Sequence, residues 1–190
     1  MNNETPLEEV NELLARLHKI YEVYHDVFLV NNEGKIVATA INRGLIGTTQ
    51  RNRRWFDEAK SDQIFFSDVY VSETLKKPTV AFSCAILAAD GSKLGVLTTR
   101  FNCNFLNDIL RAAIVDSTSK VFITNEEGLV VAATNDSDIL SRNFDNTKVF
   151  SDLKKQGSGN CQLEDKKTNS PLSYGFATGK PYNTFPGLGW

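Results

Sequence analysis

Between Leu7 and Tyr24 the apolar residues Leu7, Val10, Leu14, Leu17, Tyr21 and Tyr24 recur at spacings of three and four, and Leu13 and Ile20 widen the stripe. That period belongs to an α-helix with one apolar face. Thr5, Pro6 and Glu8 supply an N-cap, a residue suited to the first helical position and the reciprocal glutamate of a capping box, so a helix is predicted from Thr5 to about residue 25. The pattern then changes. "VFLVNNEGKIVATA", Val27 to Ala40, sets two apolar runs on either side of an Asn-Glu-Gly turn and predicts a β-hairpin. The basic and aromatic stretch "TTQRNRRWFDEAK" predicts a short helix. "FFSDVYVS", "TVAFSCAIL" and "LGVLTTRF" predict three strands separated by the turns "ETLKKP" and "ADGSK". A helical segment, "NFLNDILRAAIV", follows.

The hairpin pattern then recurs, as "VFITNEEGLVVAAT" from Val121, 94 positions after Val27. At the same offset "WFDEAK" from Trp55 lies over "VFSDLKK" from Val149, and "FFSDVYVS" from Phe65 lies over "GNCQLEDK" from Gly159. A repeat longer than one hairpin indicates a duplicated module. The predicted class is therefore α+β: a long N-terminal helix over 1–26, a first module over 27–105, a linker helix over 106–119 and a second module over 120–190. Each module is expected to be an antiparallel sheet flanked by helices.

Composition narrows the function classes. With 190 residues and 41% hydrophobic content the chain can bury one large core or two small ones. Its 21 basic and 23 acidic residues leave a net charge of -2, which argues against a general electrostatic grip on nucleic acid or an anionic membrane. No apolar run approaches the ~20 residues of a membrane-spanning helix. "MNNETPLEEV" lacks the features of a secretory signal, which leaves a cytosolic protein or a piece of a longer one. Cys84, Cys103 and Cys161 form no metal or redox spacing, and the two histidines, His18 and His25, sit close together on the predicted helix. With no triad, paired acids or phosphate loop in evidence, an enzyme is not expected, and neither is a metal or other cofactor.

Two PAS-like sheets in tandem behind an amphipathic helix resemble the double Cache (dCache) sensor domain of chemoreceptors and sensor histidine kinases. The resemblance rests on "VFLVNNEGKIVATA", "RRWFDEA", "SDVYVSETLKKPTVAFSCAI", "GSKLGVL", "VFITNEEGLVVAA" and the closing "FPGLGW", in that order. It implies a non-catalytic, ligand-binding module on the periplasmic or extracellular side of a membrane-anchored receptor. In such proteins the first module is membrane-distal and usually binds the signal, and the second is membrane-proximal.

Comparing the copies within the chain points to the same module. Where the first carries Arg53, Trp55 and Tyr70, the second carries Thr147, Val149 and Glu164. Arg53 offers a planar fork for a carboxylate, Trp55 a wall against water and Tyr70 a hydroxyl on an aromatic body. "Arg53-Arg54-Trp55-Phe56" resembles the Arg-x-Trp-aromatic element of amino-acid-binding dCache domains. The resemblance also implies two acidic positions for the ligand's ammonium group, and these fall on Ser72 and Arg100. An ammonium facing Arg100 would meet repulsion in a poorly solvated site. The expected ligand is therefore a small organic anion such as a carboxylate, with an amino acid second, and Ser72, Ser83 and Thr98 as polar accessories.

Other readings of these residues stand beside that one. Arg51, Arg53 and Arg54 can form a solvated basic corner, with Arg53 paired to Asp57 or Glu58. Trp55 and Phe56 can both be core, the better reading for Phe56 because Phe150 matches it in the second copy. Tyr70 can be strand packing, and Arg100 can turn outward. The chain can equally be an interaction module that forms a homodimer through the N-terminal helix around a vestigial pocket.

Overall fold

A computed structural model describes residues 6–114, 116–165 and 169–180. The chain divides into two compact units, Met1–Phe105 and Leu106–Trp190.

The first unit opens with helix α1 (Leu7–Ile20), whose Val10 and Leu14 pack on Val27, Leu29, Ala38, Ala40 and Leu97. Its start and end both differ from the capping and periodicity expectations. Thr5 lies outside the described residues, Pro6 occupies the cap with no side-chain hydrogen bond, and Glu8 pairs with Arg43 at 3.7 Å instead of reaching back to the cap. The helix stops at Ile20, and Tyr24 and His25 belong to strand β1 (Tyr24–Asn31). The cause is tertiary: Tyr24 pairs with Phe101 on a distant strand, and the ladder takes residues that the helical period also fits.

β1 and β2 (Ile36–Thr39) form the first hairpin. A short helix α2 (Arg54–Asp57) follows, then β3 (Phe65–Phe66), β4 (Tyr70–Val71), β5 (Pro78–Leu87) and β6 (Lys93–Asn102). The strands form one antiparallel sheet in the order β2-β1-β6-β5-β3, with β4 also pairing on β5. Alternation then assigns the two faces. One packs against α1. The other carries Phe28, Val30, Ala81 and Val96, and is covered by Trp55, Phe56, Ala59, Leu45, Phe65 and Tyr70. Thr98 lies opposite both Phe28 and Ser83, and Ala81 opposite Arg100, so Ser83, Thr98 and Arg100 share that second face.

The second unit repeats the hairpin in detail. α3 (Asn104–Ala112) leads to β7 (Phe122–Thr124) and β8 (Val130–Ala133), followed by α4 (Lys148–Gln156) and the hairpin β9 (Ser158–Asp165) with β10 (Ser170–Ala177). In each turn an asparagine side chain, Asn31 or Asn125, accepts hydrogen bonds from two backbone N–H groups, and the glycine that closes it, Gly34 or Gly128, has φ 79°. Only glycine takes that conformation at low cost. The correspondence reaches back into the helices. Asn11 of α1 accepts from the Thr39 N–H, and Asn107 of α3 accepts from the Ala133 N–H, so α3 holds its hairpin just as α1 does. Among the described residues β7–β8 and β9–β10 are separate two-stranded sheets, with no counterpart of β6 between them. The closing "FPGLGW" lies outside the described residues.

Candidate ligand-binding site

The candidate residues of the first unit come from α2, β4, β5, β6 and the turn between β4 and β5. Arg53 is the cap residue of α2 and makes no side-chain cap hydrogen bond. Its guanidinium reaches across to the turn instead and grips Glu73 through both terminal nitrogens, at 3.2 and 2.6 Å. That hydrogen bonding raises the pKa of the arginine and lowers that of the glutamate, so each favours the other's charged form. Arg53 is thus paired, but not with Asp57 or Glu58 on its own helix; it is Arg54 that pairs with Glu58.

Trp55 is 7% exposed and stacks edge-on against Phe28 and Phe56, with ring centroids 5.7 and 6.3 Å away. It is a core residue. Phe56 is core as well, and so is Phe150 in the second unit. The Ser83 hydroxyl donates to the Trp55 carbonyl at 2.6 Å, fixing α2 to the sheet. The Ser72 hydroxyl serves the turn: it accepts from the Leu75 N–H and lies 3.3 Å from the Thr74 hydroxyl. The Thr98 hydroxyl is buried and, among the described residues, has no hydrogen-bond partner.

Arg100 turns inward and is only 6% exposed. Its guanidinium lies 4.8 Å over the Phe28 ring and donates one hydrogen bond, to the Thr74 hydroxyl at 2.7 Å. Burial lowers its pKa, and the nearby Tyr70 and Asp26 partly offset that effect. Among the described residues no carboxylate stands within ion-pair distance of it. Asp26 lies opposite Arg100 in the β1–β6 ladder, but its oxygens accept from the Thr39 hydroxyl and from the Val27 and Ile41 N–H groups. Tyr70 packs against the aromatic core, and burial raises its phenol pKa against the pull of Arg100 and Arg53. Arg53, Tyr70 and Arg100 therefore lie within electrostatic reach of one another.

Glu73 and Thr74 are the residues that sequence reasoning passed over. The acid sought at Ser72 stands one position later, and it faces an arginine. A depression of about 430 Å³ lined by Asp57, Glu58, Lys60, Gln63 and Phe65 contains none of the seven predicted residues, and its excess of acids does not suit an anion.

The second unit arranges the equivalent ring differently. Phe122, 94 positions after Phe28, also has a guanidinium over it, at 4.9 Å, but this belongs to Arg142, which also covers Phe144 at 5.1 Å. Arg142 pairs with Asp138 at 3.4 Å. Thr147, in the place of Arg53, caps α4 by accepting from the Phe150 N–H.

A family model for the Cache domain, in its dCache_1 form, matches residues 3–184. The chain belongs to the Cache family. No curated protein matches this Cache domain by sequence. Among solved structures, the ligand-binding domain of the Campylobacter jejuni chemoreceptor Tlp3, in complex with 4-methylisoleucine, superposes with TM-score 0.68 at 21% identity, over 90% of this chain and 67% of that one. The extracellular domain of the putative histidine kinase rpHK1S-Z16 gives 0.73 at 13% identity, over 97% and 75%. The sensor domain of the V. cholerae histidine kinase DctB gives 0.63 at 13%, over 90% and 72%. At these identities the likeness establishes the fold. No helix among the described residues of the Cache domain is long and apolar enough to cross a membrane.

Proposed function

We propose that this Cache domain is the extracytoplasmic sensor of a membrane-anchored receptor, and that its first unit binds a small organic anion, a carboxylate by preference. In this reading the first unit is membrane-distal, the second is membrane-proximal and carries no ligand, and neither is catalytic. The observation that carries it is Arg100: a buried guanidinium that, among the described residues, has one neutral hydrogen bond and no carboxylate partner. Such a charge costs several kcal/mol to bury unpaired, a cost that a bound anion offsets. Thr98 adds, on the same strand face, a buried hydroxyl without a partner among the described residues. The second unit supports the contrast, because Asp138 already neutralises its Arg142. The amino acid bound by Tlp3 also bears a carboxylate, which places amino acids second here.

The test is a melting-temperature series with acetate, succinate and a set of amino acids, on the wild type and on Arg100→Met. A ligand at ~100 times its dissociation constant adds about 2.7 kcal/mol. Carboxylates should raise the wild-type melting temperature. Arg100→Met should match or exceed the wild type without ligand, since an unpaired buried charge has gone, and should lose the shift. Equal carboxylate shifts in both proteins would sink the reading.

A second reading, assembly through α1, has its own observation. Leu13 and Ile20 are exposed on the helix side that leaves Val10 and Leu14 to the sheet. This suits a homodimer seam and is compatible with ligand binding.

A further inference from the structure

The turn joining β4 to β5 holds both arginines with consecutive side chains: Glu73 takes Arg53 and Thr74 takes Arg100. It is a compact piece of chain. The Ser72 N–H donates to the Lys77 carbonyl and the Lys76 N–H to the Ser72 carbonyl, at 3.0 and 2.7 Å, and Lys76 sits at φ 54° without being glycine. A carboxylate that takes the Arg100 nitrogen now bonded to Thr74 displaces that hydroxyl, and one that takes the two terminal nitrogens of Arg53 displaces the Glu73 carboxylate.

We infer that Glu73 is a built-in competitor: it occupies Arg53 in the ligand-free protein, and an incoming carboxylate enters by exchanging with it, which releases the turn. This rests on the anion-sensor reading and adds to it a residue that sets affinity and a segment that moves. The exchange has a physical consequence that plain binding lacks. At Arg53 one carboxylate leaves as another arrives, so no ion pair is added at that arginine and the contact contributes little to the fall of affinity with salt. If Glu73 is made neutral, each binding event creates a new ion pair, and the affinity becomes both higher and more salt-sensitive.

Glu73 is well suited to such exchange, because its side chain is 71% exposed and pairs of this kind are weak. A deeply buried carboxylate would block the site permanently. Thr74, a neutral acceptor on a buried guanidinium, gives way to a charged one for the same reason that charge-assisted hydrogen bonds exceed neutral ones.

The experiment is titration calorimetry with acetate and with succinate, at low and at physiological ionic strength, on the wild type, Glu73→Gln and Arg53→Gln, with hydrogen exchange of residues 72–77 in the ligand-free proteins. Glu73→Gln is expected to bind the probes about two- to fivefold more tightly than the wild type, the scale of an exposed ion pair. It should also show a steeper salt dependence and faster exchange across the turn. Arg53→Gln should exchange as fast but bind more weakly. Equal or weaker binding by Glu73→Gln, with the wild type still binding, overturns the exchange and leaves the anion site standing. If neither acetate nor succinate binds the wild type or Glu73→Gln, the anion reading falls and the exchange falls with it.

Discussion

His25 lies within electrostatic reach of Arg100 and Lys77. Its Nε2 is buried and, among the described residues, has no hydrogen-bond partner. Burial first, then Lys77, Arg100 and His18, lower its pKa below the ordinary 6.5. The folded chain therefore binds this proton less readily than the unfolded chain. Stability is fully present above the unfolded value and is lost as pH falls through it towards the folded one. Chemical denaturation between about pH 5 and 7.5 should show stability declining on the acid side, and His25→Gln should flatten that limb. An unchanged slope in the variant would assign the decline to other groups. Lys77 and Arg100 are the two charged side chains that act most on His25, so on the anion-sensor reading an anion at Arg100 relieves part of the repulsion.

Among the elements, the helix-to-hairpin clamp is the clearest structural device. Asn11 and Asn107 each satisfy a buried N–H on the edge of their hairpin, Thr39 and Ala133 respectively. Either Asn→Ala change strands that N–H away from water and should cost about 1–3 kcal/mol, measured as a lowered denaturation midpoint. A loss below about 0.5 kcal/mol would mean that water replaces the amide. The hairpins themselves were legible in the sequence, because Asn-x-x-Gly turns and flanking apolar runs are local signals. The end of α1 was not, since the pairing of Tyr24 with Phe101 is settled far along the chain. The same limit explains Glu73. Its pairing with Arg53 closes twenty positions, whereas the candidates considered, Asp57 and Glu58, lay on the same short helix. The clamp in α3 was hidden differently: as a linker it needed no inward-facing residue, and Asn107 does not look apolar.

For the molecule as a whole, the duplicated pattern indicated two units and an α+β fold. It left open whether Arg100 turns outward, a direction settled by its position over Phe28. It also folded two uses of α1 into one stripe, for Val10 and Leu14 serve the core while Leu13 and Ile20 stay exposed. If that outer pair is a dimer seam, Leu13→Glu with Ile20→Glu should turn a dimer into a monomer in analytical ultracentrifugation without changing the far-ultraviolet spectrum. A wild type that sediments as a monomer at all concentrations would remove the seam.

The position shared by Arg53 and Thr147 admits one occupation at a time. A threonine there tends the end of its own helix, and α4 runs nine residues; an arginine turns outward to a distant carboxylate, and α2 runs four. On the anion-sensor reading, recognition and local order thus compete for a single side chain. A chain carrying the same unit twice has room for both solutions: one copy uses the position to cap its own helix, and the other uses it for an ion pair that reaches across to another turn.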